Sequence, residues 1–373
     1  MFFTIALVFL HIVVSMSDSL PDPQSRHHRQ MILPGFGVAA QARLAGAHAL
    51  IVGCGALGCA AIDLLARAGV GTLTLVDRDV VEITNLQRQS LYVDADARAG
   101  VPKAEAAKRR VQAIDPALRV HACVEHLSSD NVEEFVNDCD VIIDGLDNYR
   151  TRYLLNDAAV KLGKAFVHAG AVAMRGTSMP ILAGVAGALG IPRSDAPCLR
   201  CVFPEVPAPG EGETCDTAGV FGPAVAMVGA YAVGQAIKLL AGRVDLLDFS
   251  FWSMELETNR MSRMSLAGAG RAECPCCGAR QFEFLDAESD SRCTVLCGRN
   301  AVQVRPATVA QMDLVRLQMR LASLGTFVMA DGLLVGSLAG SMELSVFPDG
   351  RAIVRGTTDP MVAQTIYDRC IGQ

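Results

Sequence analysis

The sequence predicts an α/β fold. It is a Rossmann-like, open, mostly parallel sheet with helices on both faces, closed by a cysteine knuckle and followed by a small C-terminal α+β module. Three observations predict it. Residues 49–58, ALIVGCGALG, run from an apolar stretch into a glycine-rich turn. Short apolar runs and helical patterns then alternate along the chain. Near the end of that alternation stand two Cys-x-x-Cys pairs, Cys198/Cys201 and Cys274/Cys277.

Residues 22–48 are polar and then helical in pattern. Residues 49–53 read as the first buried strand and 56–68 as the first helix. TLTLVD at 72–77 is a second strand, parallel to the first because a helix intervenes. VPKAEAAKRRVQAI at 101–114 is a helix, RVHACVEHL at 119–127 a strand and 131–137 a short helix. DVIIDGLDN at 140–148 is a strand running into a loop, followed by a helix at 150–162 and a strand at 165–176. Residues 192–217 are loop-like, 219–241 a buried glycine-bearing helix and 245–264 strands. The knuckle at 274–278 closes the core. The tail reads as a strand near 301–305, a helix near 308–323 and strands near 326–334, 342–347 and 351–355. Asp349-Gly350 makes the last hairpin turn. Thr358 or Asp359 caps a final helix with Pro360 in its first turn. The expected domains are an N-terminal extension at 1–21, the nucleotide-binding domain at 22–279 and the module at 280–373.

A chain of 373 residues, 51% hydrophobic, is ample for a full core. A net charge of −6 without a basic block argues against a nucleic-acid partner. Thirteen cysteines are too sparse for a disulfide scaffold and fit a reducing compartment with a thiolate metal site. The apolar stretch MFFTIALVFLHIVVSM is short for a membrane span. It also has no Lys or Arg before it and no small-x-small cleavage site. A signal peptide or anchor is the competing reading; we expect instead a start assigned too early, with Met16 opening the protein, no stable membrane association and a cytoplasmic location.

Gly53, Gly55 and Gly58 supply a tight turn, close backbone approach to a phosphate and close helix packing. Asp77 ends the second strand 19 residues after Gly58, the spacing of a carboxylate on ribose hydroxyls. These residues do not separate NAD, FAD, S-adenosylmethionine and ATP, but no GxxxxGK[ST] occurs. Asn85, Arg88, Gln89, Lys103, Asp147, Asn148 and Arg152 all fall past strand ends, on the rim where open sheets bind ligands. Cations suit a triphosphate and an aspartate suits Mg²⁺, whereas hydride transfer requires neither. Four thiolates from Cys198, Cys201, Cys274 and Cys277 make a closed structural Zn²⁺ site, with Cys276 an alternative ligand. A redox dithiol or an iron–sulfur cluster are the competing readings of those pairs. Cys215 lies in a polar, glycine-rich loop as a candidate nucleophile.

In order and wording these segments resemble the MoeB/ThiF/HesA family, bacterial relatives of ubiquitin-activating enzymes. The segments are RHHRQMILPGFG, GCGALGCAA, LVDRDVVEITNLQRQ, VPKAEAA, DGLDNYRTR, CLRC, TCDTAGVFGP and CPCCG. The resemblance implies an adenylyltransferase. It uses Mg·ATP to adenylate the C-terminal Gly-Gly carboxylate of a ubiquitin-like sulfur carrier, for thiamine or molybdopterin synthesis. It implies a ribose role for Asp77, phosphate roles for Arg88 and Lys103, and a magnesium and transition-state role for Asp147. It also implies that Asn85 and Gln89 flank the nucleotide. The resemblance also implies a homodimer in which Arg29 serves the partner subunit's ATP site, and a sulfur-handling role for Cys215. The tail does not look like a rhodanese domain, so sulfur is expected from a separate cysteine desulfurase or rhodanese. In MRGTSMPIL, Pro180 argues against a central strand. Adenylation of a peptide or tRNA-linked carboxylate, or a silent scaffold for ubiquitin-like proteins, are the alternatives. A nicotinamide dehydrogenase leaves Arg88, Lys103 and Asp147 unexplained.

Overall fold

The structure, a computed structural model, describes residues 25–205, 218–286, 293–296, 298–305, 311–322, 324–338 and 341–371. After α1 (Gly37–Gly46), β1 (His48–Val52) is apolar apart from His48, with four of its five residues buried, as a strand covered on both faces requires. It leads into α2 (Ala56–Ala68), which ends at Gly69 in the left-handed conformation (φ 81°). Next come β2 (Thr72–Val76), buried throughout, α3 (Lys103–Ile114) and β3 (Arg119–Cys123). They are followed by α4 (Val132–Asn137), β4 (Val141–Asp144), α5 (Tyr149–Leu162) and β5 (Ala165–Val172). The domain closes with β6 (Arg175–Ile181), α6 (Gly222–Leu240), β7 (Ser250–Glu255) and β8 (Arg260–Ser265).

These eight strands form one sheet in the order β3-β2-β1-β4-β5-β6-β7-β8. Pairing is parallel from β3 to β5 and antiparallel from β5 to β8. The chain runs outward from β1 to β3 and then crosses back to β4. The strand order therefore reverses between β1 and β4, and the crevice at their carboxyl ends is where such a sheet binds its ligand. Of the described helices, only α6 is long and apolar enough to cross a membrane. It packs against α2, β5 and β6 instead. Gly229 lets it close on Ala60, whose Cβ would lie 2.6 Å from a Cβ at that glycine.

Pro180 does not exclude a strand. It pairs with Val167 of β5 inside β6, within the eight-stranded sheet. The ladder to β7 stops at Ser178, so on that side Pro180 has no ladder bond to forfeit.

The tail forms a second, six-stranded antiparallel sheet in the order β11-β12-β13-β14-β10-β9. Its elements are β9 (Cys293–Leu296), β10 (Ala301–Val304), α7 (Leu314–Leu321), β11 (Gly325–Ala330) and β12 (Leu333–Leu338). β13 (Met342–Val346), β14 (Ala352–Arg355) and α8 (Pro360–Cys370) complete it. The single strand expected near 326–334 is a hairpin. Asp331 and Gly332 turn it at φ 46° and 82°, the Asp-Gly signal of a two-residue turn. Asp313 caps α7 by accepting the Arg316 N–H at 2.9 Å. β9, which the pattern did not suggest, takes in Cys293, while Cys297 lies outside the described residues. Leu296, Ala301, Leu333, Phe347 and Ile353 enclose Val80, which joins the module to the sheet domain just after β2.

Candidate active site

At the end of β1 the backbone turns through Gly53, whose φ of 89° suits glycine alone. A Cβ there would sit 2.5 Å from the carbonyl oxygen of Gly145, and one at Gly58 would run into the Gly53 carbonyl. At Gly55, the residue before α2, a Cβ would meet nothing nearer than 3.8 Å. Packing does not demand that third glycine, whereas bare backbone over a helix N-terminus is what a phosphate uses. Tyr92, buried, donates its hydroxyl to the Cys54 carbonyl at 2.7 Å, or to that of Lys103 at 3.2 Å, tying the turn to the start of α3. Burial, with Asp77 nearby, pushes the Cys54 thiol well above its ordinary range and leaves it inert.

Asp77 stands beside this turn. Its carboxylate accepts the Cys54 N–H at 2.6 Å and the Asp79 N–H at 2.7 Å. Burial raises its pKa, with Lys103 pulling it down and Asp79 pushing it up. Lys103 is 3% exposed and donates to Asp79 at 2.9 Å. Burial would lower the Lys103 pKa, but Asp79 and Asp77 hold it above the ordinary value. Burial would likewise raise Asp79, and Lys103, Arg299 and Arg78 together keep it well below the carboxylate range. The centre thus holds an ionised carboxylate and a charged amine beside a glycine turn, at the point where the strand order reverses.

The other expected residues are treated unequally. Arg88 is half-buried and donates to the Thr84 carbonyl at 2.9 Å. Asn85 is buried and its side chain accepts the Glu82 N–H at 3.0 Å, closing the turn at Ile83–Asn85. Gln89 is buried, and its Oε1 has no hydrogen-bond partner among the described residues. Asp147 is exposed on the loop after β4. Asn148 caps α5, accepting the Thr151 N–H at 2.9 Å. Arg152 is not a rim cation: it is buried against Asp144 at 2.5 Å and donates to the Leu146 carbonyl at 2.9 Å. Its position past a strand end, two residues after Arg150, gave no sign of that inward partner. Arg29 is exposed on the short helix His28–Met31, away from this cluster. Cys215 lies outside the described residues.

Sequence reasoning missed Gly145, Asp79 and the Asp144–His168 pair at 2.8 Å. The first two were visible in DGLDN and LVDRD. The third joins β4 to β5 and has no local signature.

The knuckle is assembled. Sγ of Cys198 lies 4.0 Å from that of Cys201 and 3.6 Å from that of Cys274, and Cys201 lies 3.4 Å from Cys277. Four sulfurs at a metal–sulfur distance near 2.3 Å in a tetrahedron stand about 3.8 Å apart. The donor set therefore fits Zn²⁺ with no open position. Cys276 is outside this set, with its sulfur accepting from Asn156 at 3.2 Å.

A nucleotide-type crevice on a half-parallel sheet, braced by four cysteines, defines the class, and the sequence matches the ThiF family over residues 27–276. The chain belongs to that family. It is 37% identical over 350 residues to the sulfur carrier protein ThiS adenylyltransferase of Bacillus subtilis (strain 168), covering 93% of this chain and 99% of that protein. It is 38% identical over 280 residues to the sulfur carrier protein adenylyltransferase of Thermus thermophilus, covering 71% of this chain and 95% of the relative. Among solved structures, E. coli MccB superposes with a TM-score of 0.58 at 20% identity, over 69% of this chain and 73% of MccB, a likeness of fold.

Proposed function

We propose that this protein is an adenylyltransferase of the ThiF/MoeB type. Its substrate is the C-terminal Gly-Gly carboxylate of a small ubiquitin-like sulfur carrier, ThiS-like or MoaD-like, in thiamine or molybdopterin synthesis. The observation that carries the reading is the alignment with the ThiS adenylyltransferase, which runs through the glycine turn, the cysteine knuckle and the C-terminal module alike. The proposed protein is a cytoplasmic homodimer, and a separate cysteine desulfurase or rhodanese supplies sulfur.

The chemistry follows from the charges. A carboxylate oxygen of the carrier attacks the α-phosphorus of ATP. The bond from that phosphorus to the bridging oxygen breaks, and pyrophosphate leaves with the electron pair. The product is a mixed anhydride, and no proton has to move because the attacking group is already ionised. Repulsion between carboxylate and triphosphate is the obstacle, and fixed cations lower it. Lys103 and Arg88 bind phosphate oxygens, Asp77 orients the ribose, and the turn at Gly53–Gly58 offers backbone N–H groups at the α2 N-terminus. Asp147 is the carboxylate that would hold Mg²⁺, which neutralises charge on the phosphates when bound. Cys198, Cys201, Cys274 and Cys277 would hold Zn²⁺ away from the reaction, as a brace between the 198–201 turn and the end of the core.

The test is ATP–pyrophosphate exchange with a purified Gly-Gly-ending carrier. Asp147→Ala should abolish exchange with the melting temperature unchanged, since the side chain is exposed. Undiminished exchange by that variant would remove the role given to Asp147. Exchange by the wild type without any Gly-Gly protein would redirect the substrate assignment.

A further inference from the structure

The C-terminal module is fastened to the strip of chain after β2. Asp79 pairs with Arg299 at 3.0 Å, Val80 is enclosed by Leu296, Ala301, Phe347 and Ile353, and Glu82 pairs with Arg355 at 2.8 Å. Asp77 heads the same strip. Arg299 sits in the turn between β9 and β10, and the residues flanking that turn, Leu296 and Ala301, are buried in the cluster around Val80. Its own N–H is bonded to the Leu296 carbonyl at 3.2 Å. A turn pinned on both sides presents its side chain in one direction, and here the direction is Asp79.

The Asp79 carboxylate oxygen that accepts from Lys103 at 2.9 Å is also the one paired with Arg299 at 3.0 Å. Two cations on one oxygen are neighbours, so a polyanion that reaches Lys103 reaches Arg299 as well. Arg299 keeps 22% of its side chain exposed, so it is not sealed away by its carboxylate. Burial would lower its pKa, but Asp79, Glu82, Asp147 and Asp77 outweigh this and hold it above the ordinary value. Asp77, Asp79 and Asp147 belong to the crevice, and a triphosphate entering among them adds still more negative charge. A guanidinium, planar and permanently charged, suits phosphate oxygens better than any other side chain.

We propose that the C-terminal module completes the nucleotide site in cis, with Arg299 binding the outer phosphates of ATP, and the departing pyrophosphate, beside Lys103. This rests on the adenylation reading above, and the experiment separates the two. Full-length wild type, Arg299→Ala and Arg299→Lys are titrated calorimetrically with Mg·ATP and, separately, with AMP, which lacks the outer phosphates. Arg299→Ala should weaken Mg·ATP by about 10- to 100-fold, the worth of a charged hydrogen bond. AMP binding should be unchanged in that variant, and Arg299→Lys should recover part of the loss. Equal weakening of ATP and AMP would make Arg299 a structural residue and overturn the proposal, as would unchanged affinity for both. If wild type binds neither nucleotide, the adenylation reading itself falls and takes this one with it.

Discussion

Asp144→Ala should destabilise the sheet domain by about 3–5 kcal/mol, the cost of breaking a buried ion pair by removing one partner. Asp144 is fully buried at the end of β4. Its carboxylate takes Arg152 Nε at 2.5 Å, His168 Nδ1 at 2.8 Å and the Leu146 N–H at 3.1 Å. Alanine leaves the Arg152 guanidinium, 6% exposed, with no counter-charge in the interior. Burial would raise the Asp144 pKa, yet Arg152 and His168 hold it below the ordinary range. For a depressed carboxylate the contribution is complete above its unfolded pKa, about 3.9, and is lost as pH falls through the folded value. The gap between wild type and variant should therefore be full at neutral pH and narrow below about pH 4. Urea unfolding at pH 7.5, followed by circular dichroism, measures it. The paired variant Asp144→Asn, Arg152→Met should recover stability relative to Asp144→Ala because neither buried charge remains. A loss below about 1 kcal/mol with an unchanged urea slope would refute the reasoning. Arg152 would then be reaching water or another partner.

Other expectations follow from the same geometry. Chelating the metal should lower the melting temperature, and Cys277→Ser should abolish metal retention while Cys276→Ser keeps about one Zn²⁺ per chain by elemental analysis. The opposite pattern would transfer the ligand role to Cys276. Burial, with Arg78, Arg305 and Arg351, pushes the His126 pKa down to about 2. The unfolded chain binds a proton below about pH 6.5 that the folded chain refuses, so stability should fall by up to about 1.4 kcal/mol per unit as pH drops from there. His126→Gln should flatten that slope, and an unaltered slope would place the proton elsewhere.

The centre of the sheet was legible in the sequence because β1, β2 and β4 are buried on both faces and read as unbroken apolar runs, such as ALIV before Gly53 and LTLV before Asp77. The helices expected at 150–162 and 101–114 were legible as well, and they start at Tyr149 and Lys103. Pro180 misled, because a proline rule framed for central strands ignores where the neighbouring ladder stops. The Asp331-Gly332 hairpin was passed over because the strands on either side merge into one apolar stretch. Arg152 was misplaced for a different reason. Whether a rim arginine faces ligand or core depends on a partner on another strand, and Asp144 and His168 come from two. The role of Arg299 was beyond sequence reading altogether, since it requires the tail to fold back over about 220 residues of chain to Asp79.

Arg29 illustrates what distance alone decides. Its neighbour Gln30 donates to the Ala68 carbonyl at 3.0 Å, at the C-terminal end of α2. The glycine turn is at the other end of that helix, 13 residues away, which at 1.5 Å per residue is about 20 Å. No arginine side chain spans that length, so any service Arg29 gives to an ATP site is given to a partner's. Complementation measures this directly. Arg29→Ala and Asp147→Ala should each be inactive alone. Mixed one to one with subunit exchange, half the dimers become heterodimers, and in each of those one site has both its own Asp147 and a donated Arg29. Exchange activity should return to about a quarter of wild type. Activity that stays at the level of the separate variants would show that Arg29 does not act across the interface, and the arginine would then belong to the surface it already occupies.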